Sequence, residues 1–141
     1  MKSTKFDSWR PYTLSILRIV AGFTFSLHGF QKVLGLLGGM RDTGAAAHVL
    51  TLPWFAGVLE LVGGLLILLG LLTRPVAFLL CGEMAVAYFM AHAPKGFWPI
   101  LNGGELAIIY CWFALYLAAR GPGALALEGL TRHRHSSPAN V

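Results

Sequence analysis

The sequence predicts an all-α fold: an integral membrane four-helix bundle with both termini in the cytoplasm. Of the 141 residues, 56% are hydrophobic and only 12% are charged. Soluble domains are about 25% charged, so this chain has too little charge to cover a soluble surface. Its length suffices for about four crossings, since each needs about 20 residues. In lipid the backbone amides must be paired within the segment, which requires helices rather than open strands.

Four apolar segments separated by turn signals are the candidate crossings, at residues 12–34, 55–72, 76–93 and 104–119. The second ends at Thr73-Arg74-Pro75, the third at Pro94 and the fourth before the Gly-Pro-Gly of residues 121–123, all typical stop signals. The first segment contains Arg18 and lacks a cleavage site, so we expect a retained helix rather than a signal peptide. Residues 44–52, GAAAHVLTL, are a candidate for a short interfacial helix.

The basic residues predict the orientation. With four crossings, one side holds seven of them, namely Lys2, Lys5, Arg10, Arg74, Arg120, Arg132 and Arg134. The opposite side holds Lys32, Arg41 and Lys95. Basic residues are enriched on the cytoplasmic side, which predicts a basic cytoplasmic N-terminus (1–11), a transmembrane domain (12–120) and a cytoplasmic tail (121–141). Topology thus explains the net charge of +5, and no nucleic acid partner is predicted.

Ionisable side chains within the apolar segments are the candidate site residues. By depth they form an inner layer and an outer layer, the inner with Arg18 and Glu83, the outer with His28, Lys32, Glu60, His92 and Glu105. A lone ionised side chain near the bilayer centre costs about 2.5–3.5 kcal/mol, so opposite charges at matching depth should pair. We therefore predict one ion pair between Arg18 and Glu83, and a second between Lys32 and either Glu60 or Glu105.

Helical spacing adds a packing prediction. Gly22, Gly29 and Lys32 share one stripe of the first helix, and Gly63 and Gly64 share the Glu60 face of the second. Small residues on such faces allow helices to approach closely in lipid. The two cysteines, Cys81 and Cys111, lie in apolar runs without a CxxC motif, and we interpret them as small packing residues rather than a thiol redox site.

The first helix reads LRxxxGxxFxxHGxxK over residues 17–32, followed by ELVGGLLILLGLLTRP at 60–75, EMAVA at 83–87 and GPG at 121–123. In this order, these motifs resemble those of the DoxX family. The resemblance covers residues 14–128 and departs from the family at Leu125-Ala126-Leu127-Glu128, where a serine and an aspartate are expected. It implies a small four-helix protein of the bacterial inner membrane with a quinone-linked role.

The leading hypothesis is a quinone-linked subunit of an oxidoreductase. Its predicted cofactor-binding residues are Arg18, His28, Lys32, Glu60, Glu83, His92 and Glu105. Of these, His28, Lys32 and Glu60 are the predicted catalytic residues: His28 and Glu60 exchange protons, while Lys32 stabilises a reduced, anionic quinone. The chain has no Fe–S cysteine cluster, CxxCH motif or dinucleotide-binding loop, so a protein partner would supply the electrons.

Other functions stay open at this stage. The chain also suits a non-catalytic membrane anchor or assembly partner for a soluble enzyme. A small proton-coupled transporter is a further alternative, and four helices would then require a homo-oligomer. Haem ligation by His28 and His92 is disfavoured, because histidines at helix ends are common without haem. No metal site is predicted, since no ligand spacing signature is present.

Overall fold

The computed structural model describes residues 9–41 and 43–129, and that part of the chain is helical and contains no strand. Its helices are α1 (Arg10–Leu34), α2 (Leu52–Leu69), α3 (Thr73–Ala87), α4 (Pro99–Asn102) and α5 (Glu105–Arg120). Helix α3 continues through a π-helical turn, Tyr88–His92, and a 3-10 turn, Ala93–Lys95. Within the described residues, three helical stretches are long and apolar enough to cross a membrane: Tyr12–Leu34, Leu52–Leu69 and Thr73–Lys95. The prediction of an all-helical membrane protein is confirmed. The ends of the predicted basic segment and tail, residues 1–8 and 130–141, lie outside the described residues.

The boundary between the second and third helices differs from the prediction. Helix α2 ends at Leu69 rather than at 72, because Gly70 takes a left-handed conformation (φ +69°) and caps the helix. Helix α3 then begins at Thr73, and Pro75 lies in its first turn, where a missing backbone N–H costs little. The turn between the two helices is therefore short and makes them antiparallel neighbours.

The loop between α1 and α2 does not form the predicted interfacial helix over residues 44–51. Instead it folds back over the end of α1, where the Ala47 amide donates to the Lys32 carbonyl at 2.7 Å. The Met40 amide also donates to the Ala45 carbonyl at 2.9 Å. The loop thus satisfies a carbonyl that the end of α1 leaves open, which a separate helix would not do. Only Leu52, the last residue of the predicted segment, is helical, and it begins α2.

Glycines bring α1 and α2 into close contact, as predicted. A Cβ atom on Gly22 would lie 2.4 Å from the backbone nitrogen of Leu68, and one on Gly64 would lie 2.5 Å from that of Ser26. A Cβ on Gly29 would be equally close to the backbone of Leu61. These positions therefore admit no side chain without moving the helices apart, and the two backbones pack directly against each other.

The order of packing is α1 on α2, α2 beside α3, and α3 along α5. Apolar side chains from all four long helices form the centre, among them Phe25, Ile67, Leu80 and Leu117, each no more than 2% exposed. The ring centroids of Phe25 and Tyr110 are 4.6 Å apart, and this contact joins α1 to α5. Many large apolar side chains face outward, as expected for a protein in contact with lipid.

Candidate functional site

An ion pair lies at the end of the bundle where α1 terminates. Lys32, in the last turn of α1, donates to Oε1 of Glu60 in α2 at 2.7 Å. The side chain of Glu60 is 4% exposed and that of Lys32 is 29% exposed. Gly57, one turn before Glu60, makes room for the lysine, since a Cβ there would lie 2.5 Å from Lys32 Cβ. The predicted pairing of Lys32 with Glu60 is confirmed, and Glu105 lies exposed instead.

Glu83 of α3 approaches the same ion pair. Its carboxyl group interacts electrostatically with both Glu60 and Lys32. Both Glu83 carboxyl oxygens, and Oε2 of Glu60, are buried without a hydrogen-bond partner among the residues that the structure describes. Lys32, Glu60 and Glu83, which we call the carboxylate cluster, thus place two acids and one base inside an apolar bundle. Unpaired buried oxygens are costly, so the cluster is suited to accept hydrogen bonds or protons from a ligand.

The predicted Arg18–Glu83 ion pair is wrong. Arg18 is fully buried at the opposite end of the bundle from Lys32. It donates to four backbone carbonyls, those of Ile67, Leu68, Pro122 and Leu125. The bonds from Nε to Pro122 and from Nη1 to Leu68 measure 2.8 and 2.6 Å. Arg18 therefore ties α1 to the end of α2 and to the segment after α5.

Two features explain why Arg18 binds backbone carbonyls rather than Glu83. The last carbonyls of α2 have no partner within that helix, and they carry the negative end of its dipole, so they attract a cation. Glu128, in the segment after α5, interacts electrostatically with Arg18 and accepts from the Thr73 amide at 3.4 Å. Glu83 is ten residues beyond Thr73, about 15 Å along α3, which takes it away from Arg18 and toward Glu60.

The two membrane histidines occupy different surroundings. His28 lies one turn before Lys32 on α1, half-buried, with its ring edge-on to that of Tyr110 at 6.4 Å between centroids. His92 lies in the π-helical turn, where its Nδ1 is 3.1 Å from the carbonyl oxygen of Asn102. His92 thereby fixes the end of the third span to α4, whereas His28 borders the carboxylate cluster along α1.

The structure also reveals neighbours that the sequence did not single out. Tyr110 contributes a hydroxyl-bearing ring beside His28, and Tyr88 stacks on His92 with centroids 6.5 Å apart. Asn102 donates to the Gly96 carbonyl at 2.8 Å and accepts from the Gly104 amide at 2.8 Å. Tyr110 could have been identified from the sequence, because it is a tyrosine within an apolar helix. No comparable signal marked Asn102, because its partners are backbone groups of a loop.

A family model named DoxX matches residues 13–93, which include Arg18, His28, Lys32, Glu60 and Glu83. The chain belongs to the DoxX family. Among relatives, an uncharacterised protein of Haemophilus influenzae is 47% identical over 86% of this chain and 92% of its own length. The protein named "Inner membrane protein YphA" of Escherichia coli is 32% identical over 87% and 93%. The protein named "Putative oxidoreductase CatD" of Bacillus subtilis is 26% identical over 80% and 82%. No solved structure is significantly similar to the chain.

This DoxX protein also brings its two cysteines together. Cys81 of α3 and Cys111 of α5 are 30 positions apart in sequence, yet their sulfur atoms lie 3.6 Å apart. Both are free thiols and both are partly exposed. The sequence interpretation treated them as separate packing residues, because the pairing depends on how α3 and α5 align and not on a local motif.

The Lys32–Glu60 pair gives a first prediction for this DoxX protein. We expect Lys32→Met to lower the free energy of unfolding by about 2–4 kcal/mol, because it leaves a buried carboxylate without its cation. The double variant Lys32→Met/Glu60→Gln should recover more than half of that loss, since it removes both charges. Equilibrium unfolding in mixed detergent micelles measures the two single variants, Lys32→Met and Glu60→Gln, and the double variant. A double variant as unstable as the sum of the two single variants would contradict a direct interaction.

Proposed function

We propose that this chain is a quinone-linked subunit of an oxidoreductase system in the bacterial inner membrane, with the carboxylate cluster and His28 as its quinone site. The unpaired, buried oxygens of Glu60 and Glu83 beside the Lys32 ammonium carry this proposal. A quinone headgroup has two carbonyl acceptors, which become hydroxyl donors after reduction. Lys32 can donate to the first form, and the free carboxyl oxygens can accept from the second.

The cluster also suits the proton exchange that accompanies quinone reduction, which consumes two electrons and two protons. Two buried carboxyl groups beside one ammonium are electrically neutral when one of them holds a proton. Glu83 or Glu60 would hold that proton, and His28, four residues before Lys32, would exchange it with water at the end of the bundle. Lys32 would stabilise negative charge on the headgroup oxygen. These are the roles we assign to His28, Lys32 and Glu60.

The relatives and the packing support the setting of this function. One relative is named as a putative oxidoreductase and another as an inner membrane protein. Helix α5 has 16 residues, about 24 Å, and packs along α3, so we propose that with α4 it forms a fourth crossing. Four crossings and the distribution of basic residues would place both termini in the cytoplasm. A protein partner there would supply electrons, and self-association stays compatible with this arrangement.

Equilibrium binding of decyl-ubiquinone to the protein in lipid nanodiscs tests the proposal. We expect Glu60→Gln to weaken binding at least about tenfold, the equivalent of about 1.4 kcal/mol, because Glu60 holds Lys32 in place. Glu105→Gln is the matched control, since this carboxylate is exposed and outside the cluster. Equal affinity in Glu60→Gln and the wild type, with Glu60→Gln correctly folded, would contradict a quinone site at the cluster.

The same buried carboxyl groups favour a second candidate, a proton-coupled carrier, because intramembrane acids also mark ion pathways. Proton uptake into proteoliposomes without any quinone present separates the two functions. A flux that Glu83→Gln abolishes would favour the carrier. A flux equal to that of empty liposomes would favour the quinone-linked function.

A further inference from the structure

The two cysteines lie close together in the structure, although no sequence motif predicts that they do. Cys81 and Cys111 are the only cysteines of the chain, and their sulfur atoms are 3.6 Å apart across the seam between α3 and α5. A disulfide bond is about 2.05 Å long, so the sulfurs need to approach by about 1.5 Å. Rotation of the two side chains about their Cα–Cβ bonds is the movement that would bring the sulfur atoms to that distance and cross-link α3 to α5.

The position of the pair connects it to the carboxylate cluster. Cys81 lies two residues before Glu83 on α3, so the thiol contacts α5 while the carboxyl group points toward α2. Cys111 directly follows Tyr110, whose ring lies beside His28 and Phe25. The thiols are thus near neighbours in sequence of Glu83, a member of the carboxylate cluster, and of Tyr110, whose ring lies beside that of His28. Both are partly exposed at the side of the bundle, where an oxidant dissolved in lipid can reach them.

We propose that Cys81 and Cys111 are an intramembrane dithiol that a membrane quinone oxidises to a disulfide. Two S–H bonds break and one S–S bond forms, and the two electrons and two protons released convert the two quinone carbonyls to hydroxyls. The choice of a quinone as oxidant rests on the proposed function, whereas the pairing of the thiols rests on their geometry alone. The new bond joins α3 to α5, so the presence or absence of this cross-link depends on the redox state of the quinone pool.

Intact mass spectrometry of the reduced protein in nanodiscs, under anaerobic conditions, tests this proposal. After decyl-ubiquinone is added, free thiols are alkylated with N-ethylmaleimide and the hydroquinone formed is measured by its ultraviolet absorbance. We expect the wild type to lose two hydrogen masses, to take up no maleimide and to yield one hydroquinone per chain. Cys81→Ser and Cys111→Ser should each keep one alkylatable thiol and yield no hydroquinone.

Diamide, a general thiol oxidant, separates the two parts of the proposal. A wild type in which diamide also fails to close the bond would overturn the pairing itself. A bond that diamide closes and decyl-ubiquinone does not, or a covalent quinone adduct in its place, would overturn quinone as the oxidant. Binding of decyl-ubiquinone to Cys81→Ser reports on the proposed function separately, because the carboxylate cluster is intact in that variant. If Cys81→Ser binds decyl-ubiquinone as the wild type does and the wild type forms no disulfide, the dithiol proposal is overturned and the proposed quinone site is not.

Discussion

Arg18→Met is expected to lower the free energy of unfolding by about 3–5 kcal/mol, the largest effect of any substitution at a polar residue outside the carboxylate cluster. The change removes the donor of four hydrogen bonds, of which the bond to the Ile67 carbonyl is buried and those to the Leu68, Pro122 and Leu125 carbonyls are partly buried. Hydrogen bonds to a charged donor contribute about 1.5–3 kcal/mol each. The expected loss is smaller than the sum over four bonds, because water can replace the lost donor at the three partly buried carbonyls. Equilibrium unfolding followed by tryptophan fluorescence measures the loss.

Arg74→Met is the matched control for Arg18→Met. Arg74 also donates to carbonyls at a helix end, including that of Ala119 at 2.9 Å, but its side chain is exposed. Exposed charges at helix C-termini contribute about 0.3–1 kcal/mol, so this variant should lose no more than that. If the two arginine variants lost the same stability, Arg18 would not be the buried link between α1, α2 and the segment after α5.

Gly64→Ala is the second substitution with a large expected effect, about 2 kcal/mol of destabilisation. The added methyl group would lie 2.5 Å from the Ser26 nitrogen and 2.8 Å from the Gly22 carbonyl oxygen. Backbone atoms cannot rotate away as a side chain can, so α1 and α2 must separate along the interface that also holds Lys32 against Glu60. The same unfolding assay measures this loss, and decyl-ubiquinone binding should weaken with it.

Gly82→Ala provides the control for Gly64→Ala. Gly82 is a helical glycine of α3 whose added Cβ would meet no atom within 4 Å in the part of the chain that the structure describes. Alanine has the higher helix propensity, so this variant should be neutral or more stable by up to about 1 kcal/mol. A loss at Gly82 as large as that at Gly64 would mean that helix propensity, rather than close packing of α1 on α2, determines the response.

The sequence predicted the glycine interface, and it predicted Glu60 or Glu105 as the partner of Lys32, because helical spacing gives the face and the depth of each residue. Opposite charges at similar depth and small residues on one face are readable from spacing alone. Apolar runs bounded by glycine and proline also identified the three long apolar helices. They placed the helix ends within a few residues. The differences include the start of α2, which is at Leu52 rather than at residue 55, and the turn that Gly70 and Pro75 determine.

The Arg18 contacts were not predictable in the same way. Charge matching predicted Glu83 as the partner of Arg18, whereas the structure supplies backbone carbonyls from α2 and from a segment 104 positions away, together with Glu128 of that segment. Every helix end presents such carbonyls, so the sequence does not indicate which end an arginine will meet. The Cys81–Cys111 contact was missed for a related reason, since it depends on the axial alignment of two helices separated by a long loop.

Photoaffinity labelling with an azido-ubiquinone tests the central claim most directly. We predict that labelled peptides come from α1 around His28 and Lys32, from α2 around Glu60 and from α3 around Glu83. Excess decyl-ubiquinone should displace the label, and Glu60→Gln should reduce it. The label could instead be spread evenly over the outward-facing residues of all the helices and be unchanged in Glu60→Gln. That result would show that quinone contacts this protein only from the surrounding lipid, and it would contradict a quinone site at the carboxylate cluster.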